Sequence, residues 1–186
     1  LGQKPFRAPH HTASAIAMVG GGSHPKPGEI SLAHKGILFI DELPEFDRRV
    51  LEVLREPLES GRIMISRASL QVEYPVDFQL LAAMNPCPCG FFGDLQQQCQ
   101  CSSQQVKRYR AKISGPLLDR IDLHVSVNRL PATLLSDKKL IAESSKVIAK
   151  RVLHAQQQQA HARGKINAQL SPDELIHAPW IHQETL

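Results

Sequence analysis

The chain has 186 residues, an apolar share of 42% and a formal net charge of +4, which suits one domain, or one domain with part of a second, around a buried core. No run of 18 uncharged apolar residues occurs, and the first residues lack the basic, apolar, small-residue order of a signal peptide. Membrane insertion and secretion are therefore not indicated, and the cytoplasm is the expected compartment.

Charge is spread unevenly. Residues 41–60 hold seven acids against three bases, and residues 138–165 hold seven bases against one acid. Across 102–120, Lys107, Arg108, Arg110, Lys112 and Arg120 face only Asp119. Such basic stretches either meet phosphates or form solvated helix faces.

Residues 1–30 are rich in Gly, Pro and His and read as loops around one short apolar segment, Ala13 to Val19. Ile37-Leu38-Phe39-Ile40 is then a continuous apolar run ending in two acids, the pattern of a central strand in a parallel sheet. Asp47 is placed to cap a helix carrying Val50, Leu51, Leu54 and Leu58, with Gly61 past its end and Pro57 bending its last turn. Ile63 and Ile65, a turn at Arg67-Ala68-Ser69, then Val72 and Tyr74 predict a hairpin, and residues 78–84 a second buried strand. Residues 85–101 hold all four cysteines and break every periodic pattern. Gln104 to Ile113 reads as helix and Ile121 to Val127 as an alternating strand. Ser136 is placed to cap a long helix with Leu140, Ile141, Ser144, Val147, Ile148 and Val152 on one stripe, running to Gly164. The alternation predicts an α/β core with a helical appendage.

Two groups of residues carry chemistry. The run Ile37 to Glu42 has the form of a Walker B segment, in which a buried strand delivers Asp41 to Mg²⁺ and Glu42 to an attacking water as general base. A plain strand-to-turn junction with solvated acids is the alternative. Cys87, Cys89, Cys99 and Cys101 form two C-x-C pairs separated by nine residues, with Gly90 and Gly93 for sharp turns. Four thiolates on one short loop suit tetrahedral structural Zn²⁺; free thiols and disulfides are the other readings. Gly20-Gly21-Gly22-Ser23 is not a P-loop, since no Gly-Lys-Ser/Thr follows. His10, His11 and His34 show no ligand spacing and read as packing or polar surface.

The blocks Pro5-Phe6-Arg7-Ala8-Pro9-His10-His11-Thr12, Gly28 to His34, Phe39 to Leu43, Ala82 to Pro86 and Ser114 to Asp122 resemble, in order, the magnesium-chelatase-like AAA+ ATPases, the group that includes bacterial competence proteins. The resemblance implies a partial AAA+ P-loop NTPase core with a β-hairpin insert over residues 1–130, and the start of a C-terminal helical lid over 131–186. It implies ATP and Mg²⁺ as ligands, with Asp41, Glu42 and a sensor residue, Asn85, at the nucleotide. Read without the family, Asn85 starts a turn before Pro86.

Arg120 matches the arginine finger that reaches a neighbour's ATP, which implies a homo-oligomeric ring, expected to be a hexamer. Its alternative is an ion pair with Asp119 or Asp122. The family's P-loop precedes this region, so the chain alone is expected to bind ATP poorly and to hydrolyse none. Residues 5–35 and the 62–74 hairpin correspond to loops that face the channel of related rings. Lys26, Lys35 and Arg67 are accordingly candidate DNA contacts, or else exposed basic loop residues without a ligand.

The expected function is an ATP-hydrolysing ring motor acting on DNA, of the helicase or branch-migration type. One alternative is the magnesium-chelatase motor subunit of tetrapyrrole synthesis. The other is a non-catalytic, zinc-stabilised module that holds nucleic acid with the basic helix at 104–113.

Overall fold

A computed structural model describes residues 3–22, 25–67, 70–129 and 142–177, apart from the side chains of Arg67 and Leu70. In chain order the elements are β1 (Phe6–Arg7), α1 (Ala15–Val19), β2 (Gly20–Gly21), β3 (Lys26–Pro27), α2 (Glu29–Leu32), β4 (Ile37–Ile40), a 3-10 turn (Leu43–Glu45), α3 (Arg48–Glu52) and α4 (Arg55–Ser60). They continue with β5 (Arg62–Arg67), β6 (Leu70–Pro75), β7 (Gln79–Ala82), α5 (Ser103–Arg110), α6 (Gly115–Leu118), α7 (Ser145–Arg163), a second 3-10 turn (Asn167–Gln169) and α8 (Pro172–Ile176). The chain divides into two compact units, Leu1–Arg129 and Leu130–Leu186.

The first unit is α/β, built on a parallel sheet of order β1-β4-β7. β4 lies in the middle, pairing Phe6↔Ile37 on one side and Ile37↔Gln79 through Ile40↔Ala82 on the other. Leu38 and Ile40 are fully buried and pack with Met18, Ile30, Leu51, Leu54 and Leu117 in one core. β1 lies in the stretch expected to be loops. Its approach to β4 is close: a Cβ on Gly36 would sit 2.0 Å from the Pro5 carbonyl oxygen. Arg7 of β1 donates twice to Glu29 of α2, at 2.7 Å each, tying strand to helix.

The expected helix after Asp47 is split in two. Asp47 Oδ1 accepts from the Arg49 N–H at 2.7 Å as a cap. Pro57, which lacks an N–H to pair with the Val53 carbonyl, sits one turn beyond the break between α3 and α4. Gly61 ends α4 in the left-handed region at φ 69. β5 and β6 form the expected hairpin, in register Ile63↔Tyr74 and Ile65↔Val72. Ala68 and Ser69 of its turn lie outside the described residues.

Two strand expectations are corrected. β7 is not buried on both faces: Leu80 and Ala82 pack against the core, whereas Gln79 and Leu81 share the outer face and Leu81 is 50% exposed. Residues 121–129 form no strand; Leu123, Val125 and Val127 are all at least 80% exposed. Alternation alone does not make a strand where no neighbouring edge takes its hydrogen bonds.

In the second unit, α7 begins at Ser145, with Ser144 at its N-cap, and ends at Gly164 with φ 74. Ser136, Leu140 and Ile141, expected in its first turns, lie outside the described residues, and Ser144 falls just before the helix. Arg151 pairs with Glu143, and Lys165 with Glu174, which completes a capping box with Ser171. No helix among the described residues is long and apolar enough to cross a membrane.

Core position and edge position set opposite expectations for two leucines. Leu38→Ala empties a fully buried site and is expected to cost about 2–5 kcal/mol. Leu123→Ala, at a residue 82% exposed, is expected to change stability by less than about 0.5 kcal/mol. Urea denaturation of both variants checks the pair.

Candidate functional site

β4 and β7 run parallel and in register, so the residues that follow them emerge at the same edge of the sheet. The Ala83 N–H donates to the Ile40 carbonyl at 2.9 Å, and the Leu43 N–H donates to the Ala83 carbonyl at 3.0 Å. Asp41 and Glu42 therefore lie beside the segment that leads to Asn85, and all three are exposed. Asp41 Oδ1 accepts from the Glu42 N–H at 2.8 Å. Glu42 itself has φ 52 and ψ 44, a left-handed conformation uncommon for a residue with a Cβ and recurrent at functional sites.

The turn after β1 reaches the same edge. His11 Nδ1 is 3.4 Å from Glu42 Oε2, with its ring tilted against His10 at 4.1 Å and edge-on to Phe46 at 6.5 Å. The sequence places His11 only as a packing or polar-surface residue. Its contact with Glu42 depends on the pairing of β1 with β4, which two residues in a proline-rich stretch do not announce.

α5 holds the segment that carries Asn85. Ser102 and Gln105 make a reciprocal capping box, and Val106 and Tyr109 turn inward at 6% exposure each. Burial raises the Tyr109 pKa, the nearby charges of Glu45, Cys87 and Glu42 raise it further, and a hydrogen bond from the Asn85 backbone pulls it down. Arg110 Nε donates to the Pro86 carbonyl at 3.3 Å. The loop carrying Asn85 is thus held by two adjacent residues of one helix. The sequence marks Tyr109 only by its place on that helix's apolar face.

Arg120 lies apart from these groups. Its guanidinium pairs with Glu59, at the end of α4, at 2.9 Å, and not with either acid expected as a local partner, Asp119 or Asp122. That hydrogen bond and charge hold the Glu59 carboxyl below its ordinary range and raise the Arg120 pKa. Both groups are exposed, so the pair adds little to stability.

Cys87, Cys89, Cys99 and Cys101 come together, their sulfurs all within 4.8 Å of one another. The Cys87–Cys89, Cys87–Cys99 and Cys89–Cys99 separations are 3.4, 3.7 and 3.6 Å. A disulfide needs about 2.05 Å, whereas ligands at 2.3 Å from a tetrahedral Zn²⁺ stand about 3.8 Å apart. Backbone N–H groups of Phe91 and Gln100 draw the Cys89 thiol down to about 6. At Cys99 the Cys101 N–H pulls the same way but is outweighed by burial and by the neighbouring cysteines, which push the thiol up to about 12. Four sulfurs this close match the ligand shell of one shared tetrahedral cation.

The candidate DNA contacts fare differently. Lys26 is exposed on β3. Lys35 is ion-paired with Asp77. Arg67 ends β5, and its side chain lies outside the described residues. The β5–β6 hairpin is tied to the residue before β3, where the Tyr74 hydroxyl donates to the Pro25 carbonyl at 3.1 Å.

A family model described as magnesium chelatase, subunit ChlI, matches residues 1–135. The chain belongs to the magnesium chelatase family. Within it, the chain is 50% identical over 182 residues to the uncharacterized protein YifB of Salmonella typhimurium, covering 98% of the chain and 36% of that protein. It is 51% identical over 173 residues to competence protein ComM of Haemophilus influenzae, covering 93% of the chain and 34% of that protein. Similarity to magnesium-chelatase subunit ChlI of Cyanophora paradoxa is lower, 27% over 135 residues, covering 72% of the chain and 37% of that protein. The chain thus spans about a third of the length of the relatives it matches. Its kinship is with the ComM and YifB members of the family.

Proposed function

We propose that this chain forms the Walker B, sensor and arginine-finger part of an ATP-hydrolysing AAA+ ring motor, whose load is DNA. The observation that carries this reading is the shared sheet edge, where two carboxylates and an amide follow paired strands and Glu42 is set in a left-handed turn. Asp41 would hold Mg²⁺, which neutralises charge on the phosphates. Glu42 takes the proton from the attacking water, and Asn85, which both donates and accepts, orients that water against the γ-phosphate. Arg120 acts on the neighbouring subunit's nucleotide. Its only ion-pair partner among the described residues is an exposed glutamate, Glu59, a contact weak enough to yield when subunits assemble.

The resemblance read from the sequence supports DNA as the load, and the identity near one half with a relative named as a competence protein agrees with it. The chelatase-motor reading draws on the family model and on a relative 27% identical, below the 51% shared with the competence protein, and is the weaker. We also propose that the four cysteines hold a structural Zn²⁺, supported by sulfur spacings near those of a tetrahedral S₄ shell. Its role would be to close the 87–101 loop, where Cys87 is the only buried residue.

For the motor, Glu42→Gln and Arg120→Ala in the full-length protein are each expected to lower ATP turnover at least a hundredfold. Subunits carrying one change should regain activity when mixed with subunits carrying the other, because the site is shared. Turnover that survives both changes would refute the assignment. For the metal, atomic absorption is expected to find one zinc per chain, and cobalt substitution to give the intense thiolate charge-transfer band of a tetrahedral S₄ site. Cys101→Ser should lose both; a metal-free wild type under reducing conditions counts against the site.

A further inference from the structure

Residues 95–118 contain no acidic residue and four cations, Lys107, Arg108, Arg110 and Lys112. On α5 they divide by helical phase. Val106 and Tyr109 face inward, so Gln104, Lys107, Arg108 and Ala111, spaced i, i+3, i+4 and i+7, form the outer stripe. Lys107 and Arg108 are exposed and have no hydrogen-bond or ion-pair partner among the described residues. Lys112, by contrast, is 3.4 Å from Glu45.

The cysteine knuckle brings an aromatic ring to this helix. Phe92 follows Cys89 by three residues and is 47% exposed, with the Arg110 guanidinium 5.0 Å from its ring centroid. Its neighbour Phe91 carries Arg129 at 5.7 Å. Leu95, at the knuckle's tip, is fully exposed. An exposed ring with a guanidinium on it, beside unpaired cations, is the chemistry that stacks a base and tracks a phosphate chain. Phe92 and Leu95 alone are too little apolar surface for the core of a protein interface.

We propose that the outer face of α5 and the knuckle residue Phe92 bind single-stranded nucleic acid, with phosphates on Lys107 and Arg108 and a base stacked on Phe92. This deepens the DNA reading above by naming a contact surface. That surface is separate from Lys26, Lys35 and Arg67, and it does not depend on ATP turnover.

The test is fluorescence anisotropy of a labelled oligothymidylate with the full-length protein across a salt series, beside ATP turnover of the wild type without DNA. The double change Lys107→Ala, Arg108→Ala is expected to weaken binding and to reduce the slope of log K against log salt by about 1.4, roughly 0.7 per phosphate contact on a single strand. Phe92→Ala is expected to weaken binding about tenfold with the slope unchanged, and Phe92→Tyr, which keeps the ring, to bind like the wild type. Wild-type affinity and slope in both variants, or no oligothymidylate binding by the wild type, would overturn the proposal and leave the face to an acidic protein partner. Absent ATP turnover with these binding changes intact would refute the motor and leave this contact standing.

Discussion

The site depends on the backbone pairing of β4 on both of its edges. With β1 on one side and β7 on the other, the four residues Ile37–Ile40 have no freedom to slip, since a one-residue shift would turn Leu38 and Ile40 out of the core. That constraint delivers Asp41 and Glu42 at a fixed height, level with the segment that follows β7. It also brings the turn after β1 alongside, so that His11 meets Glu42. The strained backbone at Glu42 is tolerated because the strand before it and the Leu43–Ala83 hydrogen bond after it are both anchored.

Beyond the sheet, order is maintained by other means. The 85–101 loop buries only Cys87, and its four sulfurs converge within 4.8 Å of one another. Cys101 sits next to the Ser102 cap of α5, and α5 in turn holds the Asn85–Pro86 segment through Tyr109 and Arg110. The cysteine loop, the basic helix and the Asn85–Pro86 segment are consequently one connected structure. A change in the sulfur cluster would be felt both at the outer cationic face and at the site's rim.

Much of this was legible in the sequence, for physical reasons. The apolar run Ile37–Ile40 reads as a central strand and is one, and Ile63, Ile65, Val72 and Tyr74 alternate as a half-buried hairpin must. The cysteines announced themselves by spacing. What was not legible depends on distant partners. β1 is two residues long, and nothing in Phe6-Arg7 signals a strand until Pro5 and Ile37 are known to pair. The same holds for Arg7 with Glu29 and for Arg120, whose partner Glu59 lies on another element. Ile121 to Val127 erred the other way, since its alternation is genuine but no described edge receives it.

The central claim is that Asp41, Glu42 and Asn85 converge on one nucleotide. The most direct measurement is the structure of the full-length Glu42→Gln protein with ATP and Mg²⁺. The account predicts the metal on Asp41, directly or through one water, and the Asn85 amide within hydrogen-bond reach of the γ-phosphate or the attacking water. ATP seated away from the shared end of β4 and β7, or Asn85 turned away from the phosphates, would contradict it.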